Sequence, residues 1–191
     1  MQDKPALQQA LSRDLASLVA HLRTPVVLPF LRAFWLTMSR EWSHIEALRL
    51  DKYLYLIRRY LNASFQFLSR QKWKMDIVGQ WNEIVEETPL NPTDMKIPNG
   101  LRYHVLDIWV DELGKVSAQK WEKDPGSETL EAMIQPIDKM KKEGVLKVLR
   151  DAAKECLGDE TLQSWRGIEV EKEDETPDTS DGEVEWGGFA D

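Results

Sequence analysis

Apolar residues recur at intervals of three and four along the first 167 positions, and no stretch there alternates them convincingly with polar ones at every second place. That period belongs to the α-helix, not to the half-buried strand. Leu7, Ala10, Leu11, Leu15, Leu18, Val19 and Leu22 define the inward face of a first helix, capped by Asp3 and ending near Arg23. Thr24 before Pro25 reads as an N-cap with proline in the first turn. Val27, Phe30, Leu31, Phe34, Trp35, Met38 and Trp42 then mark one face of a second helix, widened by Leu28, Ala33 and Leu36.

Ser43 with Glu46 three residues on predicts a capping box opening a third helix to about Leu61, with Asn62 capping a continuation through Phe65 and Leu68. Asp76 to Glu87 predicts a fourth, with Ile77, Trp81, Ile84 and Val85 inward and Thr88-Pro89 stopping it. Pro89, Pro92 and Pro98 lie in the longest break of the body. Beyond it a helix from about Leu101 to Leu113 is expected to end at Gly114. Ser127 caps a segment interrupted at Pro136, and Val145, Val148, Leu149, Ala152 and Cys156 mark a last helix closed by Gly158.

Helices of this length joined by short loops pack as antiparallel neighbours, so the expected fold is all-α, a HEAT-like solenoid of helical hairpins or a compact bundle. No sequence repeat is evident, so the solenoid rests on helix lengths. The expected division is a helical scaffold domain over 1–167 and an acidic tail over 168–191, extended or held by a partner.

Charge sharpens that division. The net charge of −8 comes from the tail, whose ten acids and one base leave 23 acids and 24 bases in the body. The body is itself polarised: residues 1–74 carry 12 bases and 5 acids, residues 75–167 carry 12 bases and 18 acids. Such a layout suits a protein that meets different partners at its two ends.

No apolar run approaches the roughly 18 residues of a membrane span, and no membrane partner is expected. One cysteine, Cys156, excludes an internal disulfide; three histidines and one cysteine do not make a zinc cluster, and no cofactor motif is present. Cys156 lies on an apolar stripe and reads as an inert thiol. His104, Asp107 and Asp111 share a narrow arc, but one helix supplies three ligands poorly and such a face is ordinarily just solvated.

On a helix over 43–61, Leu50, Leu54, Ile57 and Leu61 form the core stripe. A second arc gathers Arg49, Lys52 and Arg59 with Ile45, Leu48, Tyr55 and Leu56. It reads as a contact surface or as packing against a neighbouring helix; the competing reading leaves the cations solvated or paired with Glu41, Glu46 and Asp51. Cations at helical spacing grip phosphates, with Tyr53, Tyr55 or Tyr60 available for stacking, and such helices equally meet acidic proteins. In the tail, Trp186 and Phe189 stand in an acidic, glycine-containing context that suits either a docking segment or a solubilising linker.

The run from Phe34-Trp35 through Arg40-Glu41-Trp42-Ser43-His44-Ile45-Glu46-Ala47-Leu48-Arg49-Leu50-Asp51-Lys52-Tyr53 to Ile57-Arg58-Arg59-Tyr60 resembles the signature of the ribosomal RNA processing protein 1 family, the Nop52-type nucleolar proteins, in a fungal-like form. The likeness continues at Gly100-Leu101-Arg102-Tyr103-His104, Asp107-Ile108-Trp109 and Glu112-Leu113, and more loosely over Leu130 to Cys156. It implies a HEAT-like scaffold of the nucleus and nucleolus, without enzymatic activity, acting on precursors of the large ribosomal subunit. It also implies partners: Mak16-type and Brix-domain assembly factors, and precursor ribosomal RNA. Carried over by position, Arg40, Arg49, Lys52, Arg58 and Arg59 belong to the signature together with Glu41, Trp42 and Asp51. The resemblance further implies helices before the position of Met1, and a basic tail in some members where this one is acidic. The competing function is a general HEAT-type adaptor joining proteins without RNA.

Overall fold

The structure, a computed structural model, describes residues 5–168. Among them are eight α-helices: α1 (Pro5–His21), α2 (Thr24–Glu41), α3 (Leu50–Arg70), α4 (Met75–Glu87), α5 (Asn99–Lys123), α6 (Glu128–Glu143), α7 (Lys147–Leu157) and α8 (Glu160–Trp165). Two 3₁₀ turns, Trp42–His44 and Ala47–Arg49, join α2 to α3. No strand occurs among the described residues. The expected cap Asp3 and the tail residues Trp186 and Phe189 lie outside the described residues.

Helices α1 to α5 pack mainly on helices two places away in the chain, whereas α6 and α7 pack mainly on each other. α1 lies on α3, α3 on α5 and α5 on α7 in one layer; α2 lies on α4 and α4 on α6 in the other. α6 also packs on α7, and α8 packs on α5. This layering is the HEAT-like arrangement expected from helix lengths.

Between the layers runs one continuous core in which Trp35, Trp81, Trp109 and Trp121 are fully buried. Their indole N–H groups have no hydrogen-bond partner. An unpaired buried donor costs about 1–3 kcal/mol, whereas burying some 200 Å² of indole returns about 5 kcal/mol, so hydrophobic burial wins at each site. Phe65 meets Trp109 edge to face at 5.2 Å, and Trp73 meets Trp121 likewise at 5.2 Å. To reach Trp121, the turn after α3 places Lys72 and Trp73 in the left-handed region, with φ of 57° and 55°.

Several elements differ from expectation, each for a local reason. In α1 the inward residues are Ser12, Ala16 and Val19, while Leu7, Leu11, Leu15 and Leu18 are 62%, 58%, 37% and 45% exposed. Small residues let α1 lie close to α3, so the leucine stripe is turned aside. Arg23, with extended backbone, is the N-cap of α2, and Thr24 is already helical.

The Ser43 capping box does not form. Ile45 and Glu46 are extended, and α3 begins only at Leu50. A cap is worth about 1 kcal/mol. The turn instead packs Trp42 and Ile45 against the core, which is worth more. Asn62 is no cap but a buried residue inside α3, where its Oδ1 accepts from Gln66 at 2.8 Å.

Gly114 does not end α5, which continues to Lys123 with a kink at Ser117. A Cβ at Gly114 would stand 3.0 Å from the Trp165 ring, so this glycine provides a close approach for α8. α8 itself, capped by the Asp159 carboxylate accepting from Leu162 N–H at 3.1 Å, lies beyond the last helix that the apolar period predicts. Pro136 does not interrupt α6, and Val145 and Val148 are exposed. Ser127 caps α6 as expected, accepting from Leu130 N–H.

The proline-containing break between α4 and α5 is organised by one buried cation. Arg102 is 1% exposed, and its guanidinium donates to the carbonyls of Asn91, Asp94 and Ile97 and to Asn99 Oδ1. Burial holds its pKa below the ordinary arginine value, with Asp94 opposing.

Candidate functional site

The signature cations do not form a single patch. Arg40 ends the exposed side of α2, bonded to Glu41 at 2.6 Å. It lines an open groove of about 520 Å³ with Ser39, Ser43, Asp94 and Lys96. Arg49 sits on the second 3₁₀ turn, 3.3 Å from Glu46 and exposed like it. Lys52 pairs with Asp51 in the first turn of α3, and this hydrogen bond lowers the Asp51 pKa against the smaller opposing effect of desolvation. Leu48 stands between these cations, 93% exposed. Arg40, Arg49 and Lys52 therefore belong to the surface around the α2–α3 turn, each with a neighbouring acid, as the solvated reading has it.

Arg58 and Arg59 turn to opposite neighbours. Arg58 reaches α5, where it lies 3.1 Å from Glu112 and 3.3 Å from Asp111. Glu112 is 1% exposed and also takes Lys115 at 2.6 Å. Two cations thus neutralise a buried carboxylate, and breaking such a group costs more than forming it gains. Arg58 is a residue of the α3–α5 seam. Arg59 is half-buried on the α1 side, beside Ala16 and Ala63. Tyr55 and Leu56 are half-buried, the latter against the core.

His104, Asp107 and Asp111 do not converge. His104 Nε2–H donates to the Leu54 carbonyl at 2.8 Å, Asp111 is engaged by Arg58, and Asp107 is exposed. Burial holds the His104 pKa below 6.5. Among the described residues no group of three acids, histidines or cysteines could hold a metal ion, and no helix is long and apolar enough to cross a membrane. Burial pushes the Cys156 thiol up to about 12, which fits the inert reading.

What sequence reasoning missed is the exposure of the α1 leucines. Leu11, Leu15, Leu18 and Leu22 follow four-three-four spacing, the same period a core face would show, so periodicity alone carried no signal of their direction. Leu22 reaches the core in part; the other three, with Leu7, form an apolar ridge on the outer side of the first layer.

Comparison with known proteins agrees with the signature residues. The chain is 41% identical over 125 residues to ribosomal RNA processing protein 1 homolog A of Homo sapiens, covering 65% of this chain and 27% of that protein. It is 32% identical over 162 residues to homolog B of Homo sapiens, covering 84% of this chain and 21% of that protein. For homolog A of Mus musculus the identity is 37% over 147 residues, with 76% and 30% covered. The chain thus spans about a quarter of the length of these relatives. A sequence model of the family described as nucleolar protein Nop52 matches residues 1–186, and with the layered helices and the Arg40-to-Arg59 signature in place, the chain belongs to that family.

Proposed function

We propose that this chain is a non-catalytic scaffold in ribosome biogenesis, working in the nucleus and nucleolus and supporting ribosomal RNA processing on the precursor of the large subunit. Its named relatives are ribosomal RNA processing proteins, which supports the general reading. The observation that carries the scaffold role is the surface around the α2–α3 turn. The segment from the end of α2 to the first turn of α3 carries Arg40, Arg49 and Lys52 together with a leucine, Leu48, that the fold leaves almost wholly in water. Leucine at 93% exposure adds nothing to the core, and mixed cationic and apolar surface is what assembly contacts use. Its partners in this reading are Mak16-type and Brix-domain assembly factors and precursor ribosomal RNA.

The test is charge reversal. Replacing Arg40, Arg49 and Lys52 by glutamate leaves the helical circular dichroism intact and releases the chain from large-subunit precursors on a sucrose gradient. Unchanged co-sedimentation overturns the reading.

A second reading, an adaptor that joins proteins without RNA, is favoured by the apolar ridge of α1, which offers no charge to a nucleic acid. Localisation separates the two. A tagged chain excluded from the nucleolus fits the adaptor alone.

A further inference from the structure

Between α1 and α3 lies a small cleft of about 130 Å³ lined by Arg13 of α1 and by Arg59 and Arg70 of α3. No carboxylate lines it, and none of the three arginines takes part in an ion pair among the described residues. Arg59 Nε is shut off from solvent and has no hydrogen-bond partner. This contrasts with Arg32, Arg40, Arg49, Arg58 and Arg166, every one of which faces an acid. A guanidinium with one donor withdrawn from water and no counter-ion costs free energy, and an anion that accepts from its terminal N–H groups offsets part of that cost.

We infer that this cleft binds phosphates spaced along an RNA backbone, with Arg13, Arg59 and Arg70 as the phosphate-gripping residues. The inference rests on the ribosomal reading above and adds to it a place of contact. Three features select the ligand. The cleft is small beside the roughly 300 Å³ and upward of a small-molecule pocket, so a nucleotide cofactor does not fit. Alanines at 16, 20 and 63 form part of its wall, and no aromatic ring lines it, so bases have nothing to stack upon and contact is to the backbone irrespective of sequence.

The third feature is length. Arg59 and Arg70 are eleven residues apart on one helix face, about 16 Å along the axis, with Asn62 and Gln66 between them in the same wall. A single phosphate satisfies one end of that row and leaves the other unanswered. A polymer with regularly spaced phosphates answers both, and the planar guanidinium suits each phosphate with two parallel bonds.

The test uses the whole chain and a fluorescently labelled single-stranded 12-nucleotide RNA of mixed sequence, titrated by anisotropy at several salt concentrations. Arg13 and Arg70 are exposed, so R13Q/R70Q folds normally. It is expected to bind on the order of tenfold more weakly at 0.1 M salt and to lower the slope of log affinity against log salt by about 1.4, two lost phosphate contacts. A second RNA of different sequence binds equally. Arg59→Met loses affinity without lowering the melting temperature, whereas a merely structural arginine would lower it.

Unchanged affinity and slope in R13Q/R70Q overturn the cleft, as does tight binding of a doubly phosphorylated peptide where RNA does not bind. The failures are distinguishable. An unaltered chain that stays off precursor particles overturns the scaffold reading; one that co-sediments while its variant keeps full RNA affinity overturns the cleft alone.

Discussion

Asn82 on α4 donates from Nδ2 to the carbonyl oxygen of Ala132 on α6 at 2.7 Å, and that carbonyl is the one Pro136 leaves without its helical donor. Proline has no N–H, so the acceptor four residues earlier is orphaned inside a packed layer. The amide of a neighbouring helix replaces the missing bond, and Nδ2 also reaches Gln135 Oε1 at 3.1 Å.

This pairing predicts a coupled energy. Asn82→Ala should lower stability in urea denaturation by roughly 2 kcal/mol, the cost of a buried carbonyl left without a donor plus lost packing. In a Pro136→Ala background, where the helix supplies its own N–H, the same change should cost about 1 kcal/mol less. Strict additivity in the double-mutant cycle would refute the pairing.

His104 predicts an acid limb. Burial is the main cause holding its folded pKa below 6.5, with the Leu54 bond and Asp107 opposing it and Arg58 adding to it. As pH falls through 6.5 the unfolded chain takes up the proton first, so its contribution is present above that value and is lost below it. Melting temperature measured from pH 7.5 to pH 5 should fall less steeply in His104→Gln than in the parent. Parallel curves would show that this imidazole does not sense burial.

Lys72 is strained without a packing reason of its own. It is exposed and left-handed, φ 57°, while its neighbour Trp73 is buried against Trp121. Glycine tolerates that conformation, so Lys72→Gly should raise stability by about 0.5–1 kcal/mol. Trp73→Ala should lower it by roughly 3–4 kcal/mol. Thermal melts of the two variants moving in the same direction would contradict this account of the turn.

The α1 ridge predicts a dissociation of solubility from stability. Leu7 and Leu11 are more than half exposed, so Leu7→Lys with Leu11→Lys should leave the unfolding free energy within about 1 kcal/mol of the parent while reducing self-association at high concentration. A large fall in melting temperature would place these leucines in the core after all.

Such leucines show where sequence reading succeeds and stops. Helix content, the α4 boundaries and the burial of Trp35 and Trp81 follow directly from period and caps. Direction is a tertiary matter. Six apolar positions of α1 share one arc, yet α3 accepts only the side carrying Ser12, Ala16 and Val19, because small side chains permit the nearer approach. Gly114 looks like a local stop signal and Pro136 like a local interruption, and neighbours overrule both: the Trp165 ring and the Asn82 amide. Among the site residues, Arg58 and Arg59 are adjacent in sequence but serve different seams, which only the positions of α5 and α1 reveal.

Arg102 changes what the stretch between α4 and α5 is mechanically. Eleven residues rich in proline would ordinarily swing freely and be the first place a protease cuts. Here their carbonyls converge on one desolvated guanidinium rooted in α5, so the connection is a clasp that fixes the angle between consecutive hairpins. The stack owes its rigidity at this joint to a charge turned inward, and a neutral side chain there would convert a fixed corner into a hinge.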